Sequence, residues 1–153
     1  MQVAGKPRIR IGDVQDLPAL AALEKNTFND DQFSRRQFHW LLTRANGHFL
    51  VAEVHQAIVG YAIGLYRRNS RVCRCYGLAV AAQFRGGGLA QQLMAKLRME
   101  AVRRGCVVIS LEVRADNQRA INFYRRLGFQ HYQGLPKYYD HGADGLRLRM
   151  VVE

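Results

Sequence analysis

Leu78-Ala79-Val80 is an apolar, strand-like run that ends in a basic glycine turn, Arg85-Gly86-Gly87-Gly88. From Leu89-Ala90 onward apolar residues recur at helical spacing, through Leu93, Met94, Leu97 and Ala101. Strand, glycine turn and helix in this order point several unpaired backbone N–H groups at one spot, with the helix dipole behind them. Glycine lets a ligand come close to that backbone, so the spot suits a phosphate. Two familiar phosphate motifs do not fit. A P-loop needs Gly-Lys-Ser/Thr at the end of its glycine run, and no such lysine and hydroxyl follow here. The dinucleotide fingerprint needs Gly-x-Gly-x-x-Gly early in a βαβ unit, whereas this triplet has other spacing and lies past the middle of the chain.

The remaining segments order themselves around this unit. Arg8 to Gly12 alternates as a strand, and Asp16 is placed to cap a helix over 17–27 with Pro18 in its first turn. Ser34 and Gln37 form a capping box, with Phe33 and Phe38 as its hydrophobic staple, opening a helix to about Arg44. Residues 49–54 and 58–66 read as a hairpin turning at 55–57, and 72–80 as the strand that enters the glycine turn. The helix from Leu89 stops near Gly105. Residues 107–113 are nearly all apolar, the pattern of a strand covered on both faces. Asn117 caps a helix that stops at Gly128, and two closing strands are expected near 129–138 and 146–152. No repeat or linker interrupts the 153 residues, so one domain over 1–153 is expected, with 1–7 as a flexible tail.

Composition limits the class. Nearly half the residues (48%) are hydrophobic, enough for a sizeable core, yet no apolar run approaches the ~18 residues of a membrane span. No apolar signal-peptide core follows Met1 to Arg8, so a cytoplasmic home is expected. Cys73, Cys75 and Cys106 lack paired or zinc-ligand spacing and read as reduced thiols in a core, with no metal site. The net charge of +11 attracts polyanions, but its arginines are scattered. That charge suits a phosphorylated ligand, or a contact with a ribosome or RNA.

Within this frame, Arg85-x-x-Gly88-x-Ala90 resembles the acetyl-coenzyme A signature of the GNAT superfamily of N-acetyltransferases. Leu111-Glu112-Val113-Arg114, Asn117, the run from Ala120 to Phe129, and Tyr138-Tyr139 with Gly142, Asp144 and Met150 are similar to its RimI-like branch, the protein N-terminal alanine acetyltransferases. The resemblance implies an α/β (α+β) GNAT fold in the order β-α-α-β-β-β-α-β-α-β-β, a mixed sheet of about seven strands with about four helices. It also implies acetyl-CoA as co-substrate, and a gap between the fourth and fifth strands for the acyl-thioester. The amides of Gly86, Gly87, Gly88, Leu89 and Ala90 would hold the pyrophosphate, with Arg85 adding charge. Leu78, Ala79 and Val80 would meet the pantetheine, and the Val80 N–H would face the oxyanion.

Acetyl transfer to an amine needs a neutral amine, a donor for the oxyanion and a proton for the thiolate. Glu112 is a carboxylate in an apolar strand just before a turn, so it must be paired, by Arg114 or another arginine, or act chemically. The resemblance gives it the role of general base. Tyr124 either packs its ring on the sheet or, as the resemblance implies, protonates the leaving thiolate beside the cofactor. Asn117 reads as an N-cap, a pantetheine contact, or both. By resemblance Tyr138 and Tyr139 line a peptide groove, and alternation along a strand would let only one of them reach it. Phe28, by resemblance a substrate-binding residue, keeps its place in the loop before Ser34, but the Pro-Trp element of that branch is replaced by Asn29-Asp30-Asp31-Gln32. Asp30 and Asp31 read as a solvated turn or as attractors of a cationic acceptor.

The acceptor is expected to be a peptide or protein N-terminal α-amine. Two alternatives stand beside it: an enzyme of the same fold for small amines or lysine, and a non-catalytic CoA-binding module associated with ribosomes or RNA.

Overall fold

A computed structural model describes residues 5–28 and 32–152. Seven strands form one sheet in the order β1-β2-β3-β4-β5-β7-β6, where β1 is Arg8–Ile11, β2 Gly47–Val54, β3 Ala57–Tyr66, β4 Val72–Val80, β5 Val108–Arg114, β6 Gln130–Leu135 and β7 Gly145–Val151. Four helices accompany it: α1 Leu17–Thr27, α2 Arg35–Thr43, α3 Leu89–Arg103 and α4 Gln118–Arg126. Every neighbouring pair is antiparallel except β4 and β5. This is the element order the resemblance implies. No helix among the described residues is long and apolar enough to cross a membrane.

Local chemistry explains most boundaries. The Ser34 hydroxyl accepts from the Gln37 amide at 3.1 Å, and the Gln37 side chain accepts from the Ser34 amide at 2.8 Å, closing the capping box. Phe33 meets Phe38 edge-on at 5.5 Å between centroids. The β2–β3 hairpin turns on two residues, His55 and Gln56, both left-handed, so Ala57 already belongs to β3. At the far end of α3, Gly105 takes φ +92° and the Cys106 amide returns to the Ala101 carbonyl.

Asp16 does not cap α1 with its side chain. The Arg10 guanidinium captures its carboxylate at 2.8 and 2.9 Å, and the Asp13 amide adds a third bond at 2.9 Å. That charge-assisted grip holds the Asp16 carboxyl below its ordinary range.

Two cores lie on opposite faces of the sheet. One packs α3 and α4 (Leu89, Leu93, Leu97, Ile121) on residues from β2 to β7. The other packs α1 and α2 (Leu20, Leu23, Phe38, Leu41) on β2, β3 and β4, and contains no residue of β5, β6 or β7. Among the described residues, strand β5 therefore contributes to an apolar core on one face only. Ile109, Leu111 and Val113 are buried while Ser110, Glu112 and Arg114 stay partly exposed. This corrects the expectation of two covered faces. All three cysteines are buried free thiols, and burial pushes Cys73 and Cys75 up to about 12.

One buried carboxylate went unnoticed in the sequence. Glu24 is 2% exposed on α1 and accepts from the Tyr61 hydroxyl at 2.6 Å and the Phe33 amide at 2.9 Å. Burial pushes its carboxyl upward, and these two donors oppose that. Glu24 thus ties the approach to α2 down onto β3. Glu24→Leu would strand both donors, and a loss of about 2–4 kcal/mol is expected in urea unfolding.

Candidate active site

The sheet splits where β4 leaves β5. Only Val72, Cys73 and Arg74 pair with Val108, Ile109 and Ser110. Beyond them β4 continues with β3 alone, and β5 with β7 alone. A bulge at Tyr76 helps turn β4 away, since Cys75 and Gly77 face consecutive β3 residues and Tyr76 has no partner. The Ala81 amide bonds the Val59 carbonyl at 2.8 Å. Bonding alternates along an antiparallel ladder, so the amides of Val80 and Leu78 point away from β3, into the gap.

At the gap's end lies a cleft of about 500 Å³, whose walls include Leu78, Ala79, Val80, Arg85, Gly86, Gly88, Leu89, Ala90, Asn117 and Phe28. Gly88 starts α3 at φ +86° with no side chain capping the helix. The first-turn amides are therefore free to meet an anion at this wall. Gly86 is likewise left-handed, at φ +82°. Gly87 is not among the wall residues. The Arg85 Nε donates to the Val80 carbonyl at 3.2 Å, which fastens the turn to the end of β4. Asn117 does two things at once, accepting from the Ala120 amide at 3.1 Å as N-cap while facing the cleft.

Sequence reasoning missed Arg119, Phe123 and Arg126, which face the cleft from α4. Their spacing of i, i+4 and i+7 is the readable signal. Arg119 and Arg126 add two cations to the lining of the cleft.

Glu112 and Tyr124 are not walls of that cleft; they belong to the elements around the gap. The Glu112 side chain is 8% exposed, held between Arg74 and Arg147, the latter at 3.2 Å. Arg114 instead engages Asp116 at 3.2 Å. Tyr124 packs edge-on with Phe123 and Phe129 at 5.4 and 5.6 Å. Burial, with Cys75 and Tyr139 nearby, lifts its phenol well above the usual tyrosine range, so it keeps its proton at any ordinary pH.

Tyr138 and Tyr139 do not lie on a strand. Pro136 has no amide to donate, Lys137 turns left-handed at φ +51°, and Asp144 takes the Lys137 amide at 2.9 Å. These three features end β6 at Leu135 and form a loop. The two side chains are therefore not set by strand alternation. The two rings meet edge-on at 5.0 Å, the Tyr138 hydroxyl lies 3.4 Å from Arg74, and Arg114 sits over Tyr139. Asp30 and Asp31 lie outside the described residues.

A sheet split between β4 and β5, with a glycine turn and an uncapped helix start at one end of the split, is the arrangement the resemblance implies. Residues 14–129 match the Acetyltransferase (GNAT) family, and the chain belongs to it. Solved structures agree at the level of fold. The ribosomal-protein-S18-alanine N-acetyltransferase of Escherichia coli superposes with a TM-score of 0.85 at 23% identity, over 97% of this chain and 95% of that one. A ribosomal-protein-alanine N-acetyltransferase from Brucella melitensis gives 0.77 at 27%, over 94% and 99%. The PaiA N-acetyltransferase of Thermoplasma acidophilum, solved in complex with coenzyme A, gives 0.82 at 13%, over 96% and 99%.

Proposed function

We propose that this acetyltransferase moves the acetyl group of acetyl-CoA to the α-amine of a peptide or protein N-terminus, in one ternary complex. The observation that carries the reading is the gap itself, with Glu112 on its β5 side, Tyr124 on α4, and the Val80 amide directed into it.

The acceptor nitrogen attacks the thioester carbonyl, and the C–N bond forms as the carbonyl electrons move to oxygen. The Val80 N–H meets that oxyanion. Collapse breaks the C–S bond, and the Tyr124 phenol gives its proton to the departing sulfur. The amine's proton leaves through water toward Glu112. An α-amine asks little of this base. With a pKa near 8, roughly one molecule in ten is neutral at pH 7, against fewer than about one in a thousand for lysine. Arg85, Arg119 and Arg126 would answer the phosphates of the co-substrate, whose pyrophosphate suits the free amides at the start of α3.

Thiol release from acetyl-CoA over a panel of amines tests this. Peptides with free N-termini are expected to exceed polyamines and lysine side chains by about 10-fold or more in kcat/KM, because their amines are far more often neutral. Turnover confined to small amines would move the acceptor to that class.

A further inference from the structure

We propose that the Arg74–Glu112–Arg147 cluster beside the gap selects acceptors carrying a carboxylate close to the reacting amine, and that Arg74 and Arg147 recognise it. The inference rests on the N-terminal reading above and names the acceptor class within it: N-termini with Asp or Glu at the first or second residue.

Leu111 and Val113 point into the core under α3 and α4, so Glu112 points to the other face, where, among the described residues, the core under α1 and α2 includes no residue of β5, β6 or β7. Arg74 on β4 and Arg147 on β7 flank it there. Two guanidinium groups thus share one carboxylate, and the cluster keeps a positive charge. Arg149, two residues along the same face of β7, stacks on Tyr132 at 4.0 Å and extends the cationic stripe. The bias opposes an acceptor that brings only a protonated amine. It favours one whose carboxylate offsets the charge, and it pushes the acceptor amine toward its neutral form.

Arg74 is suited to recognising such a group. Its guanidinium lies over the Tyr76 ring at 5.1 Å, and one terminal nitrogen serves both Glu112 and the Tyr138 hydroxyl. Its Nε is buried and has no hydrogen-bond partner among the described residues, although the side chain as a whole is 42% exposed. A buried donor without an acceptor is costly, so a small swing toward a second oxyanion would be favourable. Arg147 is held through two of its nitrogens. Its Nε bonds Glu112 and its Nη1 bonds Gln133 at 2.8 Å, yet the side chain remains 32% exposed. Together they present two partly exposed cations on the two sides of Glu112.

The test uses the intact protein with saturating acetyl-CoA and peptides identical except for Glu, Gln or Lys at the second residue. Free glutamate serves as a small carboxylate-bearing amine. The Glu peptide is expected to exceed the Gln peptide by about 10-fold in kcat/KM, with Lys lower still and the spread shrinking as salt rises. Arg74→Gln and Arg147→Gln should each compress the Glu-to-Gln ratio to below about 3-fold, and Arg74→Lys should keep most of it. Equal or better turnover of the Gln or Lys peptide overturns the inference while leaving the N-terminal reading intact. So does a ratio that neither glutamine variant moves. Acetylation of free glutamate but of no peptide does the reverse, retaining carboxylate selection and removing the peptide acceptor.

Discussion

Gly88→Val is expected to weaken coenzyme A binding by roughly 10- to 100-fold in Kd while leaving the fold intact. Gly88 holds φ +86°, and beyond its immediate chain neighbours nothing lies within 4 Å of where a Cβ would stand. The penalty is therefore conformational rather than steric. A non-glycine residue there carries about 1–3 kcal/mol of strain, more for a β-branched one. In the free protein the turn can relax by abandoning the left-handed geometry. Binding then has to restore it, and each ~1.4 kcal/mol costs tenfold in affinity. Gly105→Val is the control. It sits at φ +92° with equally open space, but at the opposite end of α3 from the cleft. It should lower stability by a similar amount and leave the Kd for coenzyme A unchanged. Calorimetric titration of both variants separates the cradle from a generic loss of stability.

Tyr124→Phe is expected to lower kcat by roughly 10²- to 10⁴-fold, the usual worth of a positioned general acid. The substitution removes one oxygen and keeps the ring that packs against Phe123 and Phe129, so folding and the KM for acetyl-CoA should change little. The pH profile offers a second check. Burial raises the Tyr124 phenol far above its ordinary value, so it remains protonated throughout the working range. No falling limb from this residue should be seen below about pH 10. A kcat within about 3-fold of wild type would show that the ring only packs, and the thiolate would then take its proton from water.

Much of this molecule can be read locally. The glycine turn, the Ser34–Gln37 box and the Asn117 cap each depend on residues within a few positions, and the structure shows the left-handed glycines and both caps in place. The family follows from the same residues. What escaped the sequence depends on distant partners. Asp16 has the form of an N-cap, but Arg10 reaches it from a neighbouring strand and its charge outbids the helix amides. Tyr138 and Tyr139 sit in an aromatic run that looks like strand, yet Pro136 and the left-handed Lys137 break the ladder before them. Glu112 was plainly in need of a partner. That its partners would be Arg74 and Arg147 depends on which strands flank β5 and on an uncovered face, neither of which a run of apolar residues reveals. Glu24 resembles any helical glutamate, and only the packing of α1 against β3 buries it.

The most direct measurement is to find where the acetyl group lands. A peptide with one free α-amine and one free lysine is incubated with the protein and acetyl-CoA, and fragment-ion mass spectrometry locates the product. The account predicts acetyl on the α-amine alone, at a rate that falls sharply in Tyr124→Phe. Acetyl on the lysine alone, or a rate indifferent to Tyr124, would contradict it.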